Sequence, residues 1–196
     1  MHVHARRPST LGLFLAFSLL PTLSRAATPA GAAADPGDPA FAEATEALRR
    51  ASAGEANQGP RAKALLDKLA AAAPGDPVIL AYAGSAAVLV ARDERSPIER
   101  MKGIDAGLDQ IDLAVRLLGP DHDRPLPGRL PARVETLLVA ASTFLALPDA
   151  VFHRAQEGKT MVAGVRAHPD FHRLPASVQA RFDALARPQG AQEAKP

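Results

Sequence analysis

Cysteine and tryptophan are both missing from this 196-residue chain, which has a single tyrosine and an aromatic content of only 4%. Without cysteine there is no disulfide framework, no thiolate nucleophile or thiolate metal site, and no lipid-modified cysteine behind a leader. With so few aromatics, Ala, Leu and Val must fill the core, and side chains this small let helices approach closely. Apolar alternation at period two is also lacking, whereas apolar residues recur at three- and four-residue steps, so the chain reads as all-α. There is no HExxH pattern, no Gly-x-Ser-x-Gly elbow and no phosphate-cradling loop after a strand. Enzyme chemistry and a cofactor are therefore not expected.

What is present begins with a leader pattern. Arg6 and Arg7 precede the apolar run Leu11 to Leu20, and Ser24-Arg25-Ala26 places small residues where a signal peptidase reads them. The expectation is a signal peptide over 1–26, cleaved after Ala26, and a periplasmic or secreted product. The run is shorter than the roughly 20 residues of a membrane-spanning helix, and no later stretch in the sequence reaches that length, so the mature chain is expected to have no span. An uncleaved N-terminal anchor is the alternative. Pro8-Ser9-Thr10 after the arginine pair favours general secretion over twin-arginine export.

The leader also distorts the charge balance. Taking Arg6, Arg7 and Arg25 from the 23 Lys and Arg leaves 20, against 21 Asp and Glu. No basic cluster interleaved with aromatics remains, so a nucleic-acid partner is not expected.

Residues 27–38 are mostly Ala, Pro, Gly and Thr and read as a disordered leader segment. Residues 188–196 read as a similar tail. Between them, 39–187 has the size of one domain. Asp38-Pro39, Asp76-Pro77 and Ser96-Pro97 are helix starts, because Pro tolerates the first turn and the preceding Asp or Ser can accept from exposed backbone donors. About seven helices are expected, near 39–53, 60–73, 77–92, 97–118, 131–146, 148–167 and 175–186. The third is apolar on nearly every side and should sit centrally. The fourth carries Met101, Ile104, Leu108, Ile111, Val115 and Leu118 on one face. The stretch with Pro120, Pro125, Pro127, Gly128 and Pro131 should be irregular.

Ala62, Leu66, Leu69, Pro74, Leu80 and Gly84 stand at the spacings of the second helix of one tetratricopeptide repeat and the first helix of the next. The region 62–120 resembles that family, with Ile111 and Ala114 before Gly119-Pro120 as a second, partial match. Residues from Gly84 through Arg92, Pro97 and Ala114 also look similar to a group of uncharacterised exported bacterial helical proteins. The repeat resemblance implies antiparallel helix pairs stacked as a short right-handed solenoid. It implies protein or peptide binding, with Ala81, Ser85, Val88 and Arg92 lining the concave face. Ala81 and Ser85 stand where carboxylate-gripping relatives carry Lys and Asn, so a shallow apolar groove is expected instead of a carboxylate clamp. Ala83, Ala87 and the long Gly84-to-Pro120 spacing depart from the regular repeat.

Other candidates for chemistry have plainer readings. His168 and His172 have a helical ligand spacing, but Pro169 lies between them and disfavours helix at His168, so a turn is expected. Asp121-His122-Asp123 could hold a cation weakly or form a solvated turn. Asp105, Asp109 and Asp112 form an acidic stripe on the fourth helix, a wet face or a docking surface. No metal site is assigned.

The expected function is a non-catalytic exported binding protein for an unidentified protein or peptide. The alternatives are an accessory subunit of an envelope transport or secretion system, and a small-ligand binder with a pocket between helices, involving Tyr82 and His153.

Overall fold

Each anticipated Pro start is capped as its sequence implies. The Asp38 carboxylate accepts from the Ala40 amide at 2.8 Å. Buried Asp76 accepts from Val78 at 2.9 Å and Ile79 at 3.2 Å. The Ser96 hydroxyl accepts from Glu99 at 3.4 Å. These contacts satisfy backbone donors that lack a partner in the first turn of a helix.

The computed structural model of the chain describes residues 38–124 and 130–187. Among them are eight α-helices and no strand: α1 Pro39–Ser52, α2 Gln58–Ala72, α3 Pro77–Arg92, α4 Pro97–Arg116, α5 Ala132–Ala146, α6 Asp149–Phe152, α7 Ala155–Ala167 and α8 Ala176–Ala186. The leader, the segment 27–37 and the tail 188–196 lie outside the described residues. The protein is all-α over what is described.

Two boundaries differ from expectation for identifiable reasons. Helix α2 starts at Gln58, which leaves Pro60 in the first turn, where its missing N–H costs nothing. The single helix expected over 148–167 is instead broken between α6 and α7, where His153 has φ 53°, in the left-handed region. The Asp149 carboxylate accepts from the Ala155 amide at 2.9 Å and so starts α7 afresh. Arg154 is turned inward, with its guanidinium 4.0 Å from the centre of the Phe144 ring and ion-paired to Asp112 on α4 and Glu157 on α7. The Pro-rich stretch expected to be irregular contains one short 3-10 turn, Pro120–Asp123.

Helix α3 occupies the centre and packs on α1, α2, α4 and α5. Ten of its sixteen residues are buried, as its all-round apolar sequence requires. Three core clusters follow in succession. The first joins α1 and α2 to α3 through Phe41, Leu48, Leu66 and Leu80. The second joins α3, α4 and α5 through Val88, Ile104, Ile111 and Phe144. The third joins α5, α7 and α8 through Leu138, Leu145, Val162, Val178 and Phe182. On α4 the buried face is Ile104, Leu108 and Ile111, while Met101 at its edge is 42% exposed.

The α3–α4 contact is made backbone to backbone. A Cβ on Gly84 would lie 2.5 Å from the Gly107 carbonyl oxygen and 2.7 Å from Ile111 Cγ1. A Cβ on Gly107 would lie 2.7 Å from the Gly84 carbonyl oxygen and 2.7 Å from Val88 Cγ2. Gly103 continues the seam, since its Cβ would lie 2.6 Å from that of Ala91. Only hydrogen fits at these positions, and neighbours that are themselves backbone cannot swing aside.

Gly84→Ala and Gly107→Ala are each expected to lower stability to urea by about 1–3 kcal/mol, the usual cost of overpacking. Gly164→Ala, where a Cβ meets nothing within 4 Å, is expected to gain up to about 1 kcal/mol from helix propensity. Equal stability of Gly84→Ala and wild type would contradict the backbone contact.

Candidate functional site

Helices α5 and α7 lie side by side, and Gly158 sets their closeness. A Cβ there would meet Leu145 Cγ at 2.9 Å. Further along α7, toward the turn before α8, the two helices leave a partly open cavity of about 580 Å³. Its apolar wall comes from Leu130, Val134 and Leu137 on one side, Met161 and Val165 on the other, and Phe171 and Leu174 across the end. Gly164 lines it too, and the open space around its missing Cβ enlarges the opening.

Local chemistry explains the shape. His168 ends α7 with extended backbone, because Pro169 follows it. Its ring nitrogen Nδ1 accepts from the Asp170 amide at 3.2 Å, folding the turn. The next residues form a short 3-10 turn, Phe171–Arg173, that points Phe171 at Phe182 edge to face, with centroids 6.1 Å apart. Gln179 on α8 donates to the Leu174 carbonyl at 2.7 Å and holds this end in place. The turn expected around His168 and Pro169 is therefore one wall of the cavity.

Charged residues stand at the rim, each with a partner inside the protein. Arg133 pairs with Asp123 and donates to the Gly119 carbonyl at 3.1 Å. Glu157 pairs with Arg154 at 3.1 Å, and Asp170 with Arg173 at 2.8 Å. The Thr160 hydroxyl donates to the Gln156 carbonyl at 2.9 Å. No nucleophile is set beside a base on this lining.

The residues singled out from sequence fall elsewhere. Ala81 is fully buried and Val88 nearly so, and Ser85 accepts from the Thr143 hydroxyl on α5 at 3.0 Å. Arg92 is exposed at the end of α3. Ala81 and Val88 are buried in the first and second cores, to which α5 also contributes. His153 is exposed and Tyr82 packs edge to face on Phe41 at 5.4 Å, so neither lines the cavity. His168 lines it and His172 does not. Among the described residues no three His, Asp or Glu side chains are grouped as metal ligands.

The polar trio of the Pro-rich stretch is internally committed. Asp121 pairs with Arg124 and Asp123 with Arg133, while His122 Nδ1 lies 2.9 Å from the Gly119 amide. In the acidic stripe Asp105 and Asp109 are exposed, and Asp112 is tied to Arg154.

Sequence reasoning placed Val134, Leu137 and Val165 inward but missed that they leave space between them. The available signal was Gly164 in mid-helix, with the apolar residues Phe171 and Leu174 in the turn that follows. The described residues form an all-α protein with a mostly apolar recess between α5 and α7. No described helix is long and apolar enough to cross a membrane. No family model, curated protein or solved structure matches the chain.

Tyr82 provides a built-in probe of the neighbouring packing. Its hydroxyl donates to Glu135 Oε1 at 3.1 Å. Burial pushes the phenol well above its ordinary value, and the Glu135 charge and hydrogen bond add to the rise. As the single tyrosine in a chain without tryptophan, it alone governs the phenolate absorbance. That absorbance is expected to appear only well above the ordinary value of about 10 in the folded protein. Glu135→Gln should lower the midpoint without restoring the ordinary value, because burial is the larger cause. The unfolded chain ionises first, so this contribution to stability is complete below about pH 10 and declines as pH rises above it. A normal midpoint in folded protein would contradict the packing of Tyr82.

Proposed function

We propose that this chain is an exported, non-catalytic helical-repeat protein that holds a small apolar ligand in the cavity between α5 and α7. The observation that carries the reading is the cavity itself. Its 580 Å³ falls within the roughly 300–1,000 Å³ typical of small-molecule sites, which are mostly apolar with a few polar groups at the edge. Burial of apolar surface there supplies about 25 cal/mol per Å² of driving force.

The scaffold reading is a short tetratricopeptide-like right-handed solenoid of antiparallel pairs, α1–α2, α3–α4 and α5–α7, with α8 closing the end. The packing order supports it. The first helix of each pair packs on the first helix of the next, α1 on α3 and α3 on α5, and the second helices α2 and α4 pack on the following first helix. Nearest-neighbour packing of this kind characterises repeat proteins. Export rests on Arg6, Arg7, the Leu11 to Leu20 run and Ser24-Arg25-Ala26.

A second reading is protein or peptide binding, as an independent partner or as an accessory subunit of an envelope machine. Ile98 and Met101 at the start of α4, and Leu113 and Leu117 at its end, are large apolar side chains left exposed, and such exposure favours a protein contact.

Titration with the uncharged fluorescent dye N-phenyl-1-naphthylamine separates the two readings. Wild type is expected to bind one equivalent saturably. Gly164→Phe, which fills the cavity from a position with room for it, is expected to weaken binding at least ten-fold while keeping its helical circular dichroism. Thr160→Phe, on the same wall, should act alike. Unchanged affinity in both folded variants would move the binding site off the cavity and favour the α4 face.

A further inference from the structure

The cavity bears a second piece of information, the charge of what it accepts. We infer that its ligand is uncharged over the part that enters, and that the site discriminates against anionic and cationic analogues of the same shape. This rests on the reading of the cavity as a ligand site.

The lining divides into two zones. The walls between α5 and α7 offer aliphatic, thioether and aromatic surface from Val134, Leu137, Met161, Phe171 and Leu174, with no ionisable group among them. The charged groups of the lining are partly exposed and paired, Arg133 with Asp123, Glu157 with Arg154 and Arg173 with Asp170, and His168 is the remaining ionisable group of the lining. The acids Asp123, Glu157 and Asp170 are each matched by an arginine, Arg133, Arg154 and Arg173, so neither sign dominates. Even the Thr160 hydroxyl spends its proton on the Gln156 carbonyl, and the His168 Nδ1 accepts a backbone amide.

A charged ligand group entering between these walls would exchange its hydration for aliphatic and aromatic surface, and leaving a charge unpaired in an apolar site is strongly unfavourable. Arg133 already gives one N–H to Asp123 and another to the Gly119 carbonyl, and an anion drawing it into the cavity would compete with both contacts. A cation at Glu157 would likewise compete with Arg154, which is also held by Asp112 and by the Phe144 ring. An uncharged hydrophobe faces none of these losses. A polar end, if the ligand has one, would remain at the exposed rim beside Asp170 and Arg173, whose side chains are 56% and 73% exposed.

A matched pair of dyes tests this on the full chain. N-phenyl-1-naphthylamine and 8-anilino-1-naphthalenesulfonate share one ring system and differ by the sulfonate. Binding to the cavity is taken as the part lost in folded Gly164→Phe. The expected result is that the sulfonate lowers cavity affinity at least ten-fold at neutral pH. Equal or tighter cavity binding of the sulfonate would overturn the charge selectivity while leaving the ligand site standing. Absence of cavity binding by either dye would overturn both.

Discussion

Gly84 against Gly107 is the contact on which the rest of the molecule depends. The two helices come so close that a Cβ added at Gly84 or Gly107 would meet the other's carbonyl oxygen at 2.5 or 2.7 Å, so any other residue pair would force them apart. That close approach fixes α3 and α4 as one unit. Helix α3 then presents one side to α1 and α2 and another to α5, and both flanking cores are built on it. A chain with almost no aromatics relies on such proximity. Small residues give up area per side chain and recover contact by bringing whole backbones together, so that Ala83, Ala86 and Ala114 are fully buried.

Packing is different at the far end. The third core, built on Leu138, Leu145, Val162 and Phe182, has a tight glycine contact only at Gly158, against Leu145. The break at His153 redirects α7, and Arg154 anchors the redirected helix to α4 and α5 at once. Its Nε is buried without a hydrogen-bond partner, so the clamp holds the angle of α7 at some expense in polar satisfaction. That angle separates α7 from α5 at the turn and leaves the apolar recess. Site and scaffold thus have a common origin in how each helix pair is closed.

Much of the scaffold was legible in the sequence. Asp38, Asp76 and Ser96 before prolines announced three helix starts, and the apolar surround of 77–92 announced the central helix. Gly84 was visible as a repeat-type glycine, but its partner Gly107 was not, because pairing across a helix crossing depends on register and leaves no local periodicity. The break at His153 was hidden for a related reason. Phe152-His153-Arg154 contains no proline or glycine, and the conformation is held by Asp149 reaching Ala155 and by Arg154 reaching Asp112, both contacts between separated positions. The site was the least legible part. Apolar periodicity identifies which residues face inward, but it cannot tell whether the facing residues meet. Ala81, Ser85 and Val88 met α5, whereas Val134, Leu137 and Met161 stood apart around a cavity.

Native-state hydrogen exchange, with and without N-phenyl-1-naphthylamine, tests the division between a rigid seam and a looser end around the cavity most directly. Amides around Gly84 to Ala91 on α3 and Ile104 to Ile111 on α4 are expected to exchange only through global unfolding, and the dye should leave them unchanged. Amides of α7 and α8 should exchange through smaller openings and gain protection when the dye binds. Exchange of the α3 amides as fast as those of α7, or dye protection confined to α4, would contradict the account.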